Sequence, residues 1–172
     1  MNLFYKLFAK NNRENFDISN LIWSWIGSFL GLFAIAFFHR NFLDDSDLTL
    51  VLSSFGASAV LIYGAINSPL AQPKNLIGGH IISAIIGVFC YKLFGENLLF
   101  AAAIAVSSSI LVMQLTLTLH PPGGATALIA VIGTPQIHDL GYFFVIFPVF
   151  SGALILFLIA FVINNIPKNR AY

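Results

Sequence analysis

The chain has 172 residues, 58% of them hydrophobic and only 9% charged, with a formal net charge of +1. A soluble domain carries roughly 25% charged residues, and a chain this short has too little interior to hide so much apolar surface. The composition therefore excludes a water-soluble fold, and the small net charge gives no basis for nucleic-acid binding.

The chain opens with Leu3, Phe4, Leu7 and Phe8 at helical spacing beside Lys6 and Lys10, a pattern for a short helix lying on the membrane surface or, alternatively, for a frayed tail. Residues 1–20 read as this interfacial segment, with no cleavable signal peptide. Span one covers about Leu21–Phe38, with Trp23 and Trp25 marking an interface, and is expected to serve as an uncleaved insertion signal. A loop with Arg40, Asp44, Asp45 and Asp47 leads to span two, about Leu48–Ile66. Pro69 and Pro73 stop it. Span three is about Leu76–Phe94. From Leu98 to Ile137 no Asp, Glu, Lys or Arg occurs, which is too long for one span of about 20 residues. The run breaks at His120-Pro121-Pro122-Gly123-Gly124. Span four is then about Leu98–Leu119 and span five a short helix, about Ala125–Ile132. Span six is about Tyr142–Ile163, and residues 165–172 form a tail.

The fold class expected is thus all-α, one transmembrane domain over residues 21–164 with six membrane segments, some short or broken. If the N-terminus is cytoplasmic, Lys6, Lys10, Arg13, Lys74, Lys168 and Arg170 fall inside, against Arg40 and Lys92 outside. That bias favours both termini in the cytoplasm of a bacterial inner or plasma membrane. Two stretches echo each other: Gly56-Ala57-Ser58-Ala59 and Gly124-Ala125-Thr126-Ala127. They head the second element of each three-span half, which is the arrangement of a 3+3 inverted repeat. Close packing of small residues accounts for the same pattern.

The chemistry concentrates at HPPGG. Two prolines interrupt the helix, and the helix that follows is expected to start near Gly124 with free N–H groups and a positive dipole end, a setting for an anion. Thr126 adds a hydroxyl. His120, just before the break, and His80, near the start of span three, supply donors or charge. Ser54 and Ser58 add neutral donors within span two. His39 and His138 flank loops and read as solvated. No carboxylate is expected inside the spans. Cys90 reads as a small buried hydrophobe, and the chain carries no multi-cysteine site. The histidines lack carboxylate partners for a metal cluster, and hydrolase, zincin and nucleotide-loop motifs are missing. No metal, cofactor or catalytic centre is expected.

The run Leu119-His120-Pro121-Pro122-Gly123-Gly124-Ala125-Thr126-Ala127-Leu128 resembles the signature of the HPP family of integral membrane proteins. Residues 54–60, and 68–75 continuing to Gly78-Gly79-His80, resemble that family in order and spacing. The resemblance implies a compact membrane protein, often described with four spans, some of whose plant and cyanobacterial members are associated with nitrite transport. The expected function is passage of a small monovalent anion such as nitrite. Its site would join the helix starts at Gly56-Ala57-Ser58 and Gly123-Gly124-Ala125 with His120 and His80, while Gln72 and Lys74 guide anions on the cytoplasmic side. The alternative is a non-transporting membrane subunit. Self-association, as a dimer, is expected because so small a chain leaves few walls for a sealed path.

Overall fold

The computed structural model describes residues 17–167 and 172. The surface-helix expectation for residues 3–10, and the basic residues Lys6, Lys10, Arg13, Lys168 and Arg170, lie outside the described residues. Those described form an all-α membrane fold. Its helices are α1 (Ile18–His39), α2 (Asp45–Ala59), α3 (Pro73–Phe94), α4 (Leu98–Leu115), α5 (Pro121–Ile132), α6 (Pro135–Leu140) and α7 (Ser151–Asn164). Wide π-turns extend α2 over Val60–Gly64 and precede α7 over Val145–Phe150. With those extensions, five segments are long and apolar enough to cross a bilayer: Ile18–His39, Asp45–Gly64, Pro73–Phe94, Leu98–Leu115 and Val145–Asn164. The twelve-residue α5 rises only about 18 Å at 1.5 Å per residue.

Each start but that of α7 follows a local rule. Asp17, Asp44, Asn97 and Thr134 cap α1, α2, α4 and α6 through side-chain oxygens. Pro73, Pro121 and Pro135 open α3, α5 and α6, where a missing N–H costs nothing. Span four ends at Leu115, four residues earlier than the sequence suggested. Leu117 takes a left-handed φ of 55°, and the Thr118 N–H returns to the Met113 carbonyl at 2.9 Å, a helix-ending turn. Span six is not continuous. Phe147 is extended (φ −136°, ψ 122°) before Pro148, so the regular helix begins only at Ser151.

The faces follow from contacts between ends. Asp47 accepts the Thr134 N–H at 3.0 Å, while lower down Ser54 meets Pro122 and Thr126, so α2 and α5 run antiparallel. On the opposite face, Ser24 donates to the Tyr63 carbonyl at 2.6 Å, Asn164 donates to the Ile62 carbonyl at 2.8 Å, and Tyr172 donates to the Ala71 carbonyl at 2.7 Å. The Ile62 and Tyr63 carbonyls belong to the π-turn, and α7 and α1 supply their donors. Both described ends thus lie on the face of the 65–72 loop.

The tightest crossing is α3 on α5. A Cβ at Gly87 would fall 2.6 Å from the Ala127 carbonyl oxygen, and one at Gly79 would fall 3.0 Å from the Thr118 carbonyl oxygen. Hydrogen at these positions lets two backbones approach, as small residues do between membrane helices. By contrast Trp25, Phe29, Phe33 and Phe37 stack outward along α1, a face suited to lipid.

Two expectations about polar residues change. Asp47 is not a loop residue: it lies in the first turn of α2, fully buried. Its carboxylate takes the N–H and the hydroxyl of Thr134. His39 is also fully buried rather than solvated. Its Nδ1 lies 2.8 Å from the Ile35 carbonyl and its Nε2 2.9 Å from Ser151 Oγ, and its ring stacks on Phe147 at 4.8 Å. The break before Ser151 brings that hydroxyl and ring to it. His138 is half-buried, stacked on Tyr91 at 3.6 Å.

Candidate functional site

Five of the residues singled out in the sequence meet in one buried cluster. Ser54 and Ser58 come from α2, four residues apart and so on one face. His80 comes from α3, and His120 and Thr126 from the start of α5. All five are at most 2% exposed. Ser58 Oγ lies 2.8 Å from His80 Nε2 and 2.9 Å from His120 Nε2. Thr126 Oγ1 lies 2.7 Å from His80 Nδ1 and 3.0 Å from Ser54 Oγ. Ser54 also reaches the Pro122 carbonyl at 3.0 Å, and Ser58 approaches the Ser54 carbonyl at 3.4 Å. His120 Nδ1 lies 2.8 Å from the Leu70 carbonyl. The two imidazole centroids are 5.1 Å apart, with the Phe55 ring 4.8 Å from that of His80.

The local sequence explains the convergence. Extended backbone at His120 (φ −139°, ψ 104°) turns its ring away from α5 toward α2 and the Leu70 turn. Gly79 clears space directly against the His120 Cβ. Gly123 sits as closely on the Gly79 carbonyl and Ser83 Oγ. Asn75 donates to the Leu119 carbonyl at 2.8 Å, tying the start of α3 to the residue before His120. Asn75 was missed as a site residue, although it stands in the Gln72–Asn75 stretch of the second motif.

The helix-end design expected from the sequence is not what the fold builds. Gly56-Ala57-Ser58 lies inside the continuous helix α2, so no free helix N-terminus exists there. The later helix starts at Pro121, not Gly124, because proline suits a first turn. Pro121 and Pro122 have no N–H, and the Gly123 N–H donates to the His120 carbonyl at 2.8 Å. Few backbone donors remain to hold an anion. The polar groups gathered at this place are side chains.

The other singled-out residues stand apart from the cluster. Gly56 and Gly124 are half-buried, and Ala57, Ala125 and Pro121 exposed. A Cβ at Gly56 would meet nothing within 4 Å, and one at Gly124 only Val106, at 3.7 Å. Gly124, Ala125 and Pro121 instead border an apolar cleft of about 560 Å³ beside Gln114. The Gln72 amide folds back on the Ile66 and Ser68 carbonyls at 3.1 and 3.2 Å, shaping the turn that carries Leu70. Lys74 is exposed at the start of α3. Among the described residues, no group of three His, Cys, Asp or Glu side chains is arranged for a metal ion.

The sequence model described as HPP, transmembrane region, matches residues 13–172. Two transmembrane proteins of Dictyostelium discoideum are similar over 159 residues, one at 46% and the other at 43% identity. The match covers 91% of this chain in both cases, and 55% and 51% of the relatives. The chain therefore spans about half the length of those relatives. No solved structure matches it.

Proposed function

The chain belongs to the HPP transmembrane family, and on that premise we propose that it moves a small monovalent anion, nitrite first among candidates, across the membrane. The observation that carries this reading is the buried cluster of Ser54, Ser58, His80, His120 and Thr126. Burying so many polar groups in a membrane interior is expensive and commonly marks a solute path. Among the described residues, hydroxyls and imidazoles, not carboxylates, make up the cluster. Such groups donate to an anion without repelling it.

The cluster is closed toward the 65–72 face by the Leu70 carbonyl on His120. Displacing that turn frees the His120 Nδ1–H, and an anion takes the place of the carbonyl. The exposed Lys74 on the same face draws anions toward it, and this face is the cytoplasmic one in our reading. Recognition rests on side-chain donors rather than on helix ends. A dimer, and the antiparallel α2 and α5 as matching second elements of the two halves of a 3+3 inverted repeat, belong to the same proposal.

The test is nitrite influx into proteoliposomes at neutral pH. Saturable influx above empty liposomes supports the reading, and influx equal to that of empty liposomes refutes it. A second reading, a non-transporting membrane subunit, draws on the fact that each cluster atom already has a partner inside the protein. Under it, variants of His120 would leave flux unchanged and disturb assembly with a partner.

A further inference from the structure

Donor accounting fixes the direction of the bonds that run from His120 through Ser58 and His80 to Thr126. A carbonyl only accepts, so His120 Nδ1, 2.8 Å from the Leu70 carbonyl, carries a proton. An imidazolium buried without a carboxylate is costly, so the ring is neutral and its Nε2 is bare. Ser58 Oγ, at 2.9 Å, donates its single proton there. It must then accept from His80 Nε2 at 2.8 Å. His80 is consequently protonated on Nε2 and bare on Nδ1, where Thr126 donates at 2.7 Å. Ser54 points its own proton at the Pro122 carbonyl or at Thr126, both 3.0 Å away.

We infer that Ser54, Thr126, His80, Ser58 and His120 form one polarised relay that moves protons between the Leu70 turn and the middle of the membrane. Ser54 takes a proton from a protonated water reaching it and hands its own to Thr126 Oγ1, and the Thr126 proton passes to His80 Nδ1. The Nε2 proton of His80 then passes to Ser58 as the Ser58 proton passes to His120 Nε2. His80 is left neutral and His120 doubly protonated. The His120 Nδ1 proton leaves to a water or a weakly basic anion standing where the Leu70 carbonyl stood. One proton enters, one leaves, and each imidazole exchanges its protonated nitrogen; the next proton passes the same way once exchange with water has returned both rings to their starting tautomers. Among the described residues, the hydrogen bonds of these five side chains run to one another and to the carbonyls of Leu70, Pro122 and Ser54. On α2 the Phe55 ring packs against His80. Against the turn itself, the Tyr172 hydroxyl donates to the Ala71 carbonyl. The use of the proton, to accompany an anion, rests on the transport reading; the relay itself rests on the geometry.

Nitrogen-15 NMR of histidine-labelled protein in bilayers near neutral pH tests the relay, with His80→Gln and His120→Gln assigning the signals. The expected result is His80 protonated on Nε2 alone and His120 on Nδ1 alone. A bare Nδ1 on His120, or a bare Nε2 on His80, overturns it. Ser58→Ala should cost His80 its single tautomer, and Ser58→Thr should keep it. In proteoliposomes holding a pH dye, nitrite influx should carry protons inward. That uptake should fall about tenfold in Ser58→Ala, a modest share of what a positioned proton-transfer group supplies, and recover in Ser58→Thr. Nitrite influx without proton uptake overturns the relay and spares the transport reading. The expected tautomers with no nitrite influx remove the transport reading and support the relay.

Discussion

Ser58 Oγ lies 2.9 Å from His120 Nε2, and this contact joins a mid-membrane helix to the break that begins α5. Removing the hydroxyl leaves two buried imidazole nitrogens without their partner. Ser58→Ala should therefore destabilise the fold by about 1–3 kcal/mol, the usual cost of orphaning a buried polar group. Ser58→Thr, which keeps the oxygen, should recover most of it. Thermal unfolding in detergent measures both.

Two glycines of similar appearance should behave oppositely. A Cβ at Gly87 meets the Ala127 carbonyl oxygen at 2.6 Å and the Ala130 Cβ at 2.7 Å. Backbone cannot yield there, so Gly87→Ala should cost about 1–3 kcal/mol through overpacking. A Cβ at Gly56 meets nothing, and Gly56→Ala inside α2 should be neutral or stabilise by about 0.5–1 kcal/mol. Paired unfolding curves in one detergent decide the matter.

The Asp47–Thr134 clasp ties the start of α2 to the turn after α5. The Thr134 hydroxyl also caps α6 through the Gln136 N–H at 3.2 Å. Thr134→Ala should lose about 1–3 kcal/mol, combining a cap with a bond to a carboxylate. Nitrite flux per folded molecule should stay as in the parent protein, because the clasp lies on the opposite face from the Leu70 turn. Unfolding and flux on the same preparation check this.

Much of the fold was legible because bilayer thickness and proline set it. The spans stood out as apolar runs, and Pro69, Pro73 and Pro121 placed their breaks. The five cluster residues were each visible as a polar group in such a run. Their joining was not, because it depends on the backbone at His120 and on Gly79 making room. The sequence misled where a small-residue head looked like a helix start: Gly56 lies inside α2, since nothing before it in Ser53-Ser54-Phe55 stops a helix. The burial of Asp47 was hidden because its partner, Thr134, is far away in the chain. The pattern Asp44-x-x-Asp47, a cap followed by an acid in the first turn, was the available hint. Pro148 was a hint of the same kind, passed over when span six was read as one run; it marks the interruption before α7.

The most direct measurement compares nitrite influx in proteoliposomes of the parent protein, His120→Ala and His39→Ala. Both histidines are fully buried, but only His120 belongs to the cluster. Loss of its donors should cut influx about a hundredfold if each passage depends on them, about 2.7 kcal/mol of barrier. His39→Ala, once shown to be folded, should retain influx within about twofold. Equal influx in the His120→Ala variant and the parent, or influx no greater than in empty liposomes for all three, would contradict the account.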